Sequence, residues 1–348
     1  MVSVRPATPS NDRCPGVLRL HEAADGWLAR VRLPGGRADP RGLRALAAVA
    51  RLGNGIVELT SRASVQLRGL PADGSSRCWE ILSGAGLLPS VSHERVRNIL
   101  ASPVAGRLPG SVAATDDLVS ELDRRLCAEA SLAELSGRFL FAVDDGSGTI
   151  GPHRADITLR ARRDGFFTLL PGGARVAADG AAGAAVEAAA ARGERPQVMG
   201  AREPVLELIG CVAQRDGLVA VTALAPLGRL DGTILDALAG VVERHRTEVR
   251  ISARRTVTVI DVPAADADRV LAALSTLGLV TDSRSGWVGL SACAGEGACG
   301  QAQFDVRAAA ARRAGERGPG APVEHWSGCA RRCGLPADAA VSMPAGLR

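Results

Sequence analysis

Two stretches of the chain, residues 34–70 and 226–262, carry the same order of apolar and polar positions at a constant offset of 192 residues. Identical pairs include Pro34/Pro226, Gly36/Gly228, Arg37/Arg229, Asp39/Asp231, Leu46/Leu238, Arg62/Arg254 and Val65/Val257. Each copy predicts the same unit. Asp39 or Asp231 reads as a helix N-cap, and Pro40 suits the first helical position. The stripe Leu43, Leu46, Ala47, Val49, Ala50, matched by Leu235, Leu238, Ala239, Val241, Val242, has helical spacing. Strands follow at 56–60 and 65–70, then at 248–252 and 257–262, where β-branched residues alternate. A unit of about forty residues covers its own sheet poorly, so the two copies are expected to pair into one pseudo-symmetric domain.

Between the repeats, RVRNILASP (95–103) predicts a short helix stopping at Pro103, and 116–128 an amphipathic helix. GRFLFAVDDG (137–146) reads as a buried strand entering an Asp-Gly turn, and further strands are expected at 155–160 and 166–170. The alanine-rich run 181–191 predicts a helix, GERPQ (193–197) a linker, and 200–214 another helix. After the second repeat come a helix at 264–275, strands at 287–293 and 323–329, and a helix at 302–314 between them.

Within SRASVQLRG, alternation sets Arg62, Ser64, Gln66 and Arg68 on one face and Val65 and Leu67 on the other. Two arginines and a glutamine suit an anion pocket, with a solvated face as the competing reading. The second copy presents Arg254, Thr256, Thr258 and Ile260, a less charged row. The first copy is therefore the expected ligand-facing half.

Composition narrows the chemistry. All 42 basic residues are arginine, and lysine and tyrosine are absent, which excludes a lysine base or a tyrosyl radical. The net charge of +5 is mild, aromatic residues are 3%, and no basic run stands out, so nucleic acid is not an expected partner. No apolar run approaches the roughly twenty residues of a membrane span. The N-terminus lacks the layout of a signal peptide, so a cytoplasmic location is expected. In that compartment, eight cysteines argue for metal or redox chemistry rather than disulfides.

Four of those cysteines are grouped: Cys293 and Cys299 in SACAGEGAC, Cys329 and Cys333 in SGCARRC. Four thiolates from two small-residue loops match the needs of a cubane iron–sulfur cluster. Structural zinc and unrelated core thiols are the alternatives, but zinc pairs usually stand two to four residues apart. Cys14, Cys78, Cys127 and Cys211 are scattered and read as buried thiols. Asp144 and Asp145 read as turn residues rather than metal ligands.

Together, CPGVLRLHEAADGWLARVRLPGG (14–36), LTSRASVQLRGL (59–70), RNILASP (97–103), GRFLFAVDDG (137–146) and the two cysteine pairs resemble the siroheme-type nitrite/sulfite reductase superfamily, and within it the precorrin-3B synthase family. The resemblance implies an α+β fold: duplicated ferredoxin-like half-domains forming a pseudo-symmetric domain, plus α/β cluster-binding domains. The implied boundaries are 1–75 and 201–276 for the half-domains, 76–200 for a first α/β domain, and 277–348 for a cluster-binding domain. Only 15 residues follow Cys333, which predicts a short C-terminal sheet.

The implied activity is an O2-dependent monooxygenase that hydroxylates precorrin-3A with γ-lactone formation, in aerobic cobalamin biosynthesis. The resemblance implies a 4Fe-4S cluster on Cys293, Cys299, Cys329 and Cys333, and the family is associated with a separate mononuclear non-haem iron. The implied partners are a tetrapyrrole polycarboxylate, O2, and an electron donor, either ferredoxin or an NAD(P)H-linked reductase. Arg62 and Arg97 match the reductases' anion-binding arginines, with Gln66 and Arg68 on the same strand as Arg62. Arg138 takes the place of the first lysine of their K-F-K signature; Leu140 replaces the second and can neither bind an anion nor donate a proton. A siroheme-dependent sulfite or nitrite reductase is the competing activity, and a non-catalytic tetrapyrrole-binding or electron-transfer protein the competing class.

Overall fold

The computed structural model describes residue 12 and residues 14–151, 153–191, 197–199, 208–336 and 338–342. The first repeat contains β1 (His21–Ala23), β2 (Gly26–Val31), β3 (Arg37–Ala38), α1 (Pro40–Ala50), β4 (Ile56–Leu59), β5 (Val65–Leu70) and α2 (Ser75–Gly84). A middle region follows: β6 (Ile99–Ala101), α3 (Asp116–Ala128), β7 (Phe141–Asp144), β8 (His153–Ala155), β9 (Ile157–Ala161), β10 (Phe166–Leu170), β11 (Ala174–Ala177), α4 (Ala181–Ala190) and β12 (Gln197–Met199). The second repeat supplies β13 (Gly210–Ala213), β14 (Val219–Leu224), β15 (Arg229–Asp231), α5 (Gly232–Arg244), β16 (Val249–Ile251), β17 (Thr256–Val262) and α6 (Ala267–Thr276). The last region holds β18 (Leu290–Ala292), α7 (Val306–Glu316), β19 (Glu324–Trp326) and β20 (Ala340–Ser342).

The repeats are interlocked by strand exchange. One five-stranded sheet runs β1-β2-β5-β4-β15 and the other β13-β14-β17-β16-β3, so each copy donates its short third strand to the other's sheet. The donated strands follow tight turns at Pro34–Gly36 and Pro226–Gly228. Gly36 (φ 70°) lies against the Ile251 carbonyl, and Gly228 (φ 73°) against the Leu59 carbonyl. A Cβ at either place would strike the opposite half's backbone, which is why both copies keep glycine there. Helices α1 and α5 pack together over one apolar core drawn from both copies, including Leu43, Leu46, Val65, Leu67, Leu235, Leu238, Val257 and Val259. Asp39 caps α1 through Gly42 N (2.7 Å), and Asp231 caps α5 through Thr233 N and Ile234 N, each contact contributing about 1 kcal/mol.

The middle region is a five-stranded sheet ordered β11-β10-β9-β7-β6, covered by α3 and α4 through Val119, Leu122, Leu126, Ala181 and Ala185. Here the sequence expectation for 95–103 is corrected. Ile99–Ala101 is a strand, parallel to β7 and buried on both faces, and a two-sided apolar run carries no strand periodicity. Of the helix expected at 200–214, residues 200–207 lie outside the described set and Gly210–Ala213 is a strand. The expected linker at 193–197 falls almost wholly outside it too. Asp145 is fully buried and accepts from Ser147 N (3.1 Å) in its own turn and from Gly106 N (2.8 Å) and Ser111 Oγ (3.0 Å), which ties that turn to the 106–111 loop.

The final region is a three-stranded parallel sheet, β18-β19-β20, so the short stretch after Cys333 does add a strand. Helix α7 begins at Val306, four residues later than the sequence suggests, with Asp305 as its cap on Ala308 N. No helix among the described residues is long and apolar enough to cross a membrane.

Candidate cofactor and ligand cleft

A cleft of about 760 Å³ runs between the first half-domain's sheet and the loops of the C-terminal region. That volume lies within the range of ordinary small-molecule sites. It is lined by Cys293, Cys299, Cys329 and Cys333 on one side and by Arg30, Arg62, Gln66, Arg68 and Arg138 on the other.

The thiols converge because β18 and β19 are adjacent and parallel. Ala292 pairs with Trp326, so Cys293 and the loop carrying Cys329 leave the same end of the sheet. Cys293 N donates to Trp326 O (3.0 Å), and Gly328 N donates to Cys293 Sγ (3.4 Å). Cys299 closes a turn on Gly295 O (3.0 Å), and Cys333 lies exposed at the cleft edge. Partial burial of its sulfur against the cleft nonetheless pushes the Cys333 thiol up, and the neighbouring thiols of Cys329, Cys299 and Cys293 push it further. Among the described residues, no three His, Cys, Asp or Glu side chains gather closely enough to hold a single metal ion. Four cysteines from two loops at one end of the sheet are the donor set that a group with several iron corners takes, while a mononuclear iron finds no fitting site among the described residues.

The opposite wall is the outer face of β2, β5 and β4. Val65 and Leu67 are fully buried in the shared core, which turns Gln66 and Arg68 to the cleft. Strand register sets Arg30 and Glu58 on either side of Gln66, making a cross-strand row. With its carboxamide turned so that the oxygen faces β2, Gln66 accepts from Arg30 Nη2 and Nε (3.3 Å to Nε). Arg30 Nη1 also reaches Cys14 Sγ (3.4 Å), a fifth cysteine bordering the cleft. Cys14 donates to Gly137 O (3.2 Å) and accepts from the buried Arg32 Nη2 (3.1 Å). Arg62, in the turn after β4, donates to the Arg138 carbonyl. Burial lowers the Arg62 guanidinium, and Arg30 and Arg138 lower it further. Among the described residues, none of Arg30, Arg62 and Arg138 has a carboxylate at ion-pairing distance. This corner of the cleft is built to receive an anion.

Other predicted residues have different partners. Arg68 is paired bidentate with Asp25 (2.8 and 2.9 Å) and also donates to Ala298 O, tying β5 to the Cys299 loop. Arg97 does not reach the cleft: its guanidinium grips Asp123 (2.6 and 2.7 Å) and Leu87 O (2.9 Å), beside a separate cavity of about 250 Å³. Leu140 is buried with Ala63, Leu100 and Ala142, so the cleft has no proton donor from that position. Of the scattered thiols, Cys14 and Cys78 are buried, Cys127 is half-buried and Cys211 is exposed.

Sequence reading missed Arg30, Cys14, Glu58, Arg255, Arg307 and Arg331, all of which line the cleft. Arg307 and Arg229 both pair with Glu58, joining α7 and the second repeat to β4. His325 is fully buried, with Nδ1 on the Ser291 hydroxyl (2.9 Å). Burial, with Arg255 alongside, lowers its pKa to about 4, so the imidazole is neutral and serves the sheet beneath the thiols.

Comparison with known proteins agrees with this architecture. The nitrite/sulfite reductase ferredoxin-like half domain matches the chain twice, at residues 21–85 and 212–277. The chain is 29% identical over 150 residues to a precorrin-3B synthase of Sinorhizobium sp, covering 42% of this chain and 32% of that protein. It is 29% identical over 129 residues to an assimilatory ferredoxin-dependent nitrite reductase of Haloferax mediterranei, covering 34% and 22%. It is 32% identical over 127 residues to a ferredoxin–nitrite reductase of Synechococcus elongatus, covering 34% and 25%. The matched stretches thus span a third or less of these relatives. The solved structure of Mycobacterium tuberculosis NirA superposes with a TM-score of 0.74 at 20% identity, covering 88% of this chain and 69% of that one. With two ferredoxin-like half domains and this topology, the chain has the fold of the nitrite and sulfite reductases.

Proposed function

We propose that this chain is an oxidoreductase of the precorrin-3B synthase type, an O2-dependent monooxygenase that hydroxylates precorrin-3A and forms its γ-lactone. The observation that carries the reading is one cleft with four thiols on one wall and, on the other, three guanidiniums that no carboxylate among the described residues meets at ion-pairing distance. A tetrapyrrole bearing several carboxylates meets such a wall through charge-assisted hydrogen bonds. Arg30, Arg62 and Arg138 would hold those carboxylates and fix how the macrocycle lies, while Gln66 keeps Arg30 aimed at it.

Cys293, Cys299, Cys329 and Cys333 would hold a 4Fe-4S cluster, and the Gly328 amide would stabilise charge on the Cys293 sulfur. When bound, such a cluster supplies electrons one at a time. The exposed Cys333 edge leaves an approach for an electron donor, ferredoxin or an NAD(P)H-linked reductase. Buried Leu140 and the absence of lysine argue against the several proton deliveries that sulfite or nitrite reduction needs.

The test is anaerobic purification with iron and sulfide reconstitution, a visible spectrum, and turnover of precorrin-3A under isotopically labelled O2. Label in a lactonised product, with cluster absorption and no macrocycle bands in the resting protein, is the expected result. Two of the relatives above are named nitrite reductases, which keeps siroheme chemistry as the second reading. Siroheme bands with nitrite or sulfite turnover would overturn the first in its favour. Pigment binding without O2 consumption would make the chain a non-catalytic tetrapyrrole carrier.

A further inference from the structure

The turn joining the last two strands of each repeat has the same backbone in both copies. Ala63 (φ 53°) and Arg255 (φ 62°) occupy equivalent left-handed positions, each following the paired arginines Arg62 and Arg254. Their surroundings differ. The first turn leans on the middle region, with Ala63 packed near Leu100 and Leu140 and Arg62 on the Arg138 carbonyl. The second turn leans on the last cysteine loop. Arg254 makes a two-point ion pair with Asp338 (2.7 and 3.4 Å), and Arg255 donates from Nη2 to the Gly334 carbonyl (3.1 Å), one residue beyond Cys333. Arg255 is buried, and both members of the Arg254–Asp338 pair are largely shielded, at 17% and 25% side-chain exposure.

We propose that Arg254 and Arg255 are positioning residues for the Cys329–Cys333 loop, so that the second repeat sets the geometry of the last thiol pair. The loop's own backbone closure is weak, resting on Arg332 N to Cys329 O (3.3 Å) and Leu335 N to Arg332 O (3.2 Å), with Arg332 itself at φ 49°. Two side-chain anchors from a rigid hairpin fix what those long bonds do not. The other cysteine pair is held by the opposite half-domain through Arg68 on Ala298 O. Each half-domain thus holds one cysteine loop, and the four-thiol set is complete only when the interlocked halves are assembled. The inference rests on the four-thiol part of the proposed function and not on the oxygen chemistry.

The experiment uses the full chain without iron. Wild type, R254A, D338A and the exchanged pair R254D/D338R are treated with iodoacetamide, and alkylation of each cysteine is timed by peptide mass spectrometry. Loss of the anchor is expected to speed Cys333 alkylation about tenfold, the scale of one charge-assisted contact, while Cys293 and Cys299 keep their rates. The exchanged pair should return Cys333 to near the wild-type rate. Iron and sulfide uptake by the same proteins is measured separately and should fall and recover in parallel. Unchanged Cys333 labelling in R254A, or equal acceleration at all four cysteines, would overturn the proposal. Failure of the wild type to take up iron and sulfide would count against the cofactor reading, while selective Cys333 labelling would still uphold the clamp.

Discussion

Arg62 and Arg254 stand at the same point of two copies of one hairpin, yet Arg62 opens into the cleft with no carboxylate among the described residues at ion-pairing distance, while Arg254 is closed on Asp338. Duplication supplied two arginines, and only the one left unpaired is available to an anion. Its charge is held at a cost in the free protein, since burial and Arg30 both disfavour it. Arg62→Met should therefore weaken binding of a polycarboxylate porphyrin about 10- to 100-fold, the worth of one or two charge-assisted hydrogen bonds. Stability should fall by no more than about 1 kcal/mol, because the lost bond to the Arg138 carbonyl is offset by relief of repulsion. Fluorescence titration and urea unfolding of the same variant check both halves. A large loss of stability with unchanged binding would make Arg62 a structural residue.

Arg30 carries a separate expectation. Its side-chain partners are Gln66 and the Cys14 sulfur, and no carboxylate among the described residues pairs with it, so its positive charge faces the cleft. Arg30→Gln should weaken the same porphyrin about tenfold, and the double variant with Arg62→Met should lose less than the two singles predict together. The shared carboxylate-holding corner is the reason. Binding should also weaken as salt rises toward 0.5 M, and less steeply in the double variant, since screening acts on the charges that were removed. Strict additivity would mean that the two guanidiniums address different groups.

What was legible in the sequence follows from where backbone demands are absolute. The repeat could be aligned because Gly36/Gly228 and Asp39/Asp231 answer to a close approach and a helix cap that both copies share. The cysteine wall could be read from spacing, since few other sites ask for four thiols in small-residue loops. Arg30 could not. On its own strand it looks like an ordinary solvated position, and only the register Arg30–Gln66–Glu58 across three strands brings it to the cleft. Arg97 failed for the complementary reason. Its motif identifies the position, but Asp123, one helix away, takes up its guanidinium. The 95–103 stretch misled because a strand buried on both faces has no alternation to distinguish it from a helix.

The strand exchange makes a local prediction about glycine. Gly36→Ala must adopt a left-handed conformation and also displace the Ile251 carbonyl in the other half, which together should cost about 3–5 kcal/mol. Gly228→Ala meets the Leu59 carbonyl and Arg255 and should cost a similar amount. Gly84→Ala, at the end of α2 with nothing near the new Cβ, should be neutral or stabilising by up to about 1 kcal/mol. Denaturant midpoints for the three variants decide the matter. Similar values for all three would mean that the exchanged strands contribute little to holding the halves together.

A final prediction concerns acid. Asp116, at the start of α3, receives Arg250 on both carboxylate oxygens (2.7 and 2.9 Å) and Arg107 on one (2.8 Å), binding the middle region to the second repeat. Arg107 reaches on to Asp261, and Arg250 to Glu248, which also pairs with Arg37, so three guanidiniums meet three carboxylates across the junction. Burial alone would raise the Asp116 carboxyl, but Arg250 and then Arg107 overcome it and hold the pKa at about 2, below its ordinary 3.8. The folded state therefore binds this proton less readily than the unfolded chain. Its stabilisation, about 2 kcal/mol, is fully present above pH 3.8 and is lost as pH falls toward 2. Asp116→Asn should cost about 3 kcal/mol at pH 6, because it leaves the buried Arg250 and the half-buried Arg107 each short of a partner. The gap between wild type and variant should then narrow as pH falls from 4 to 2.5 in urea unfolding of the iron-free chain. A gap that stays constant over that interval would mean that Asp116 contributes through shape alone, and that the junction's charges are already satisfied by Asp261 and Glu248.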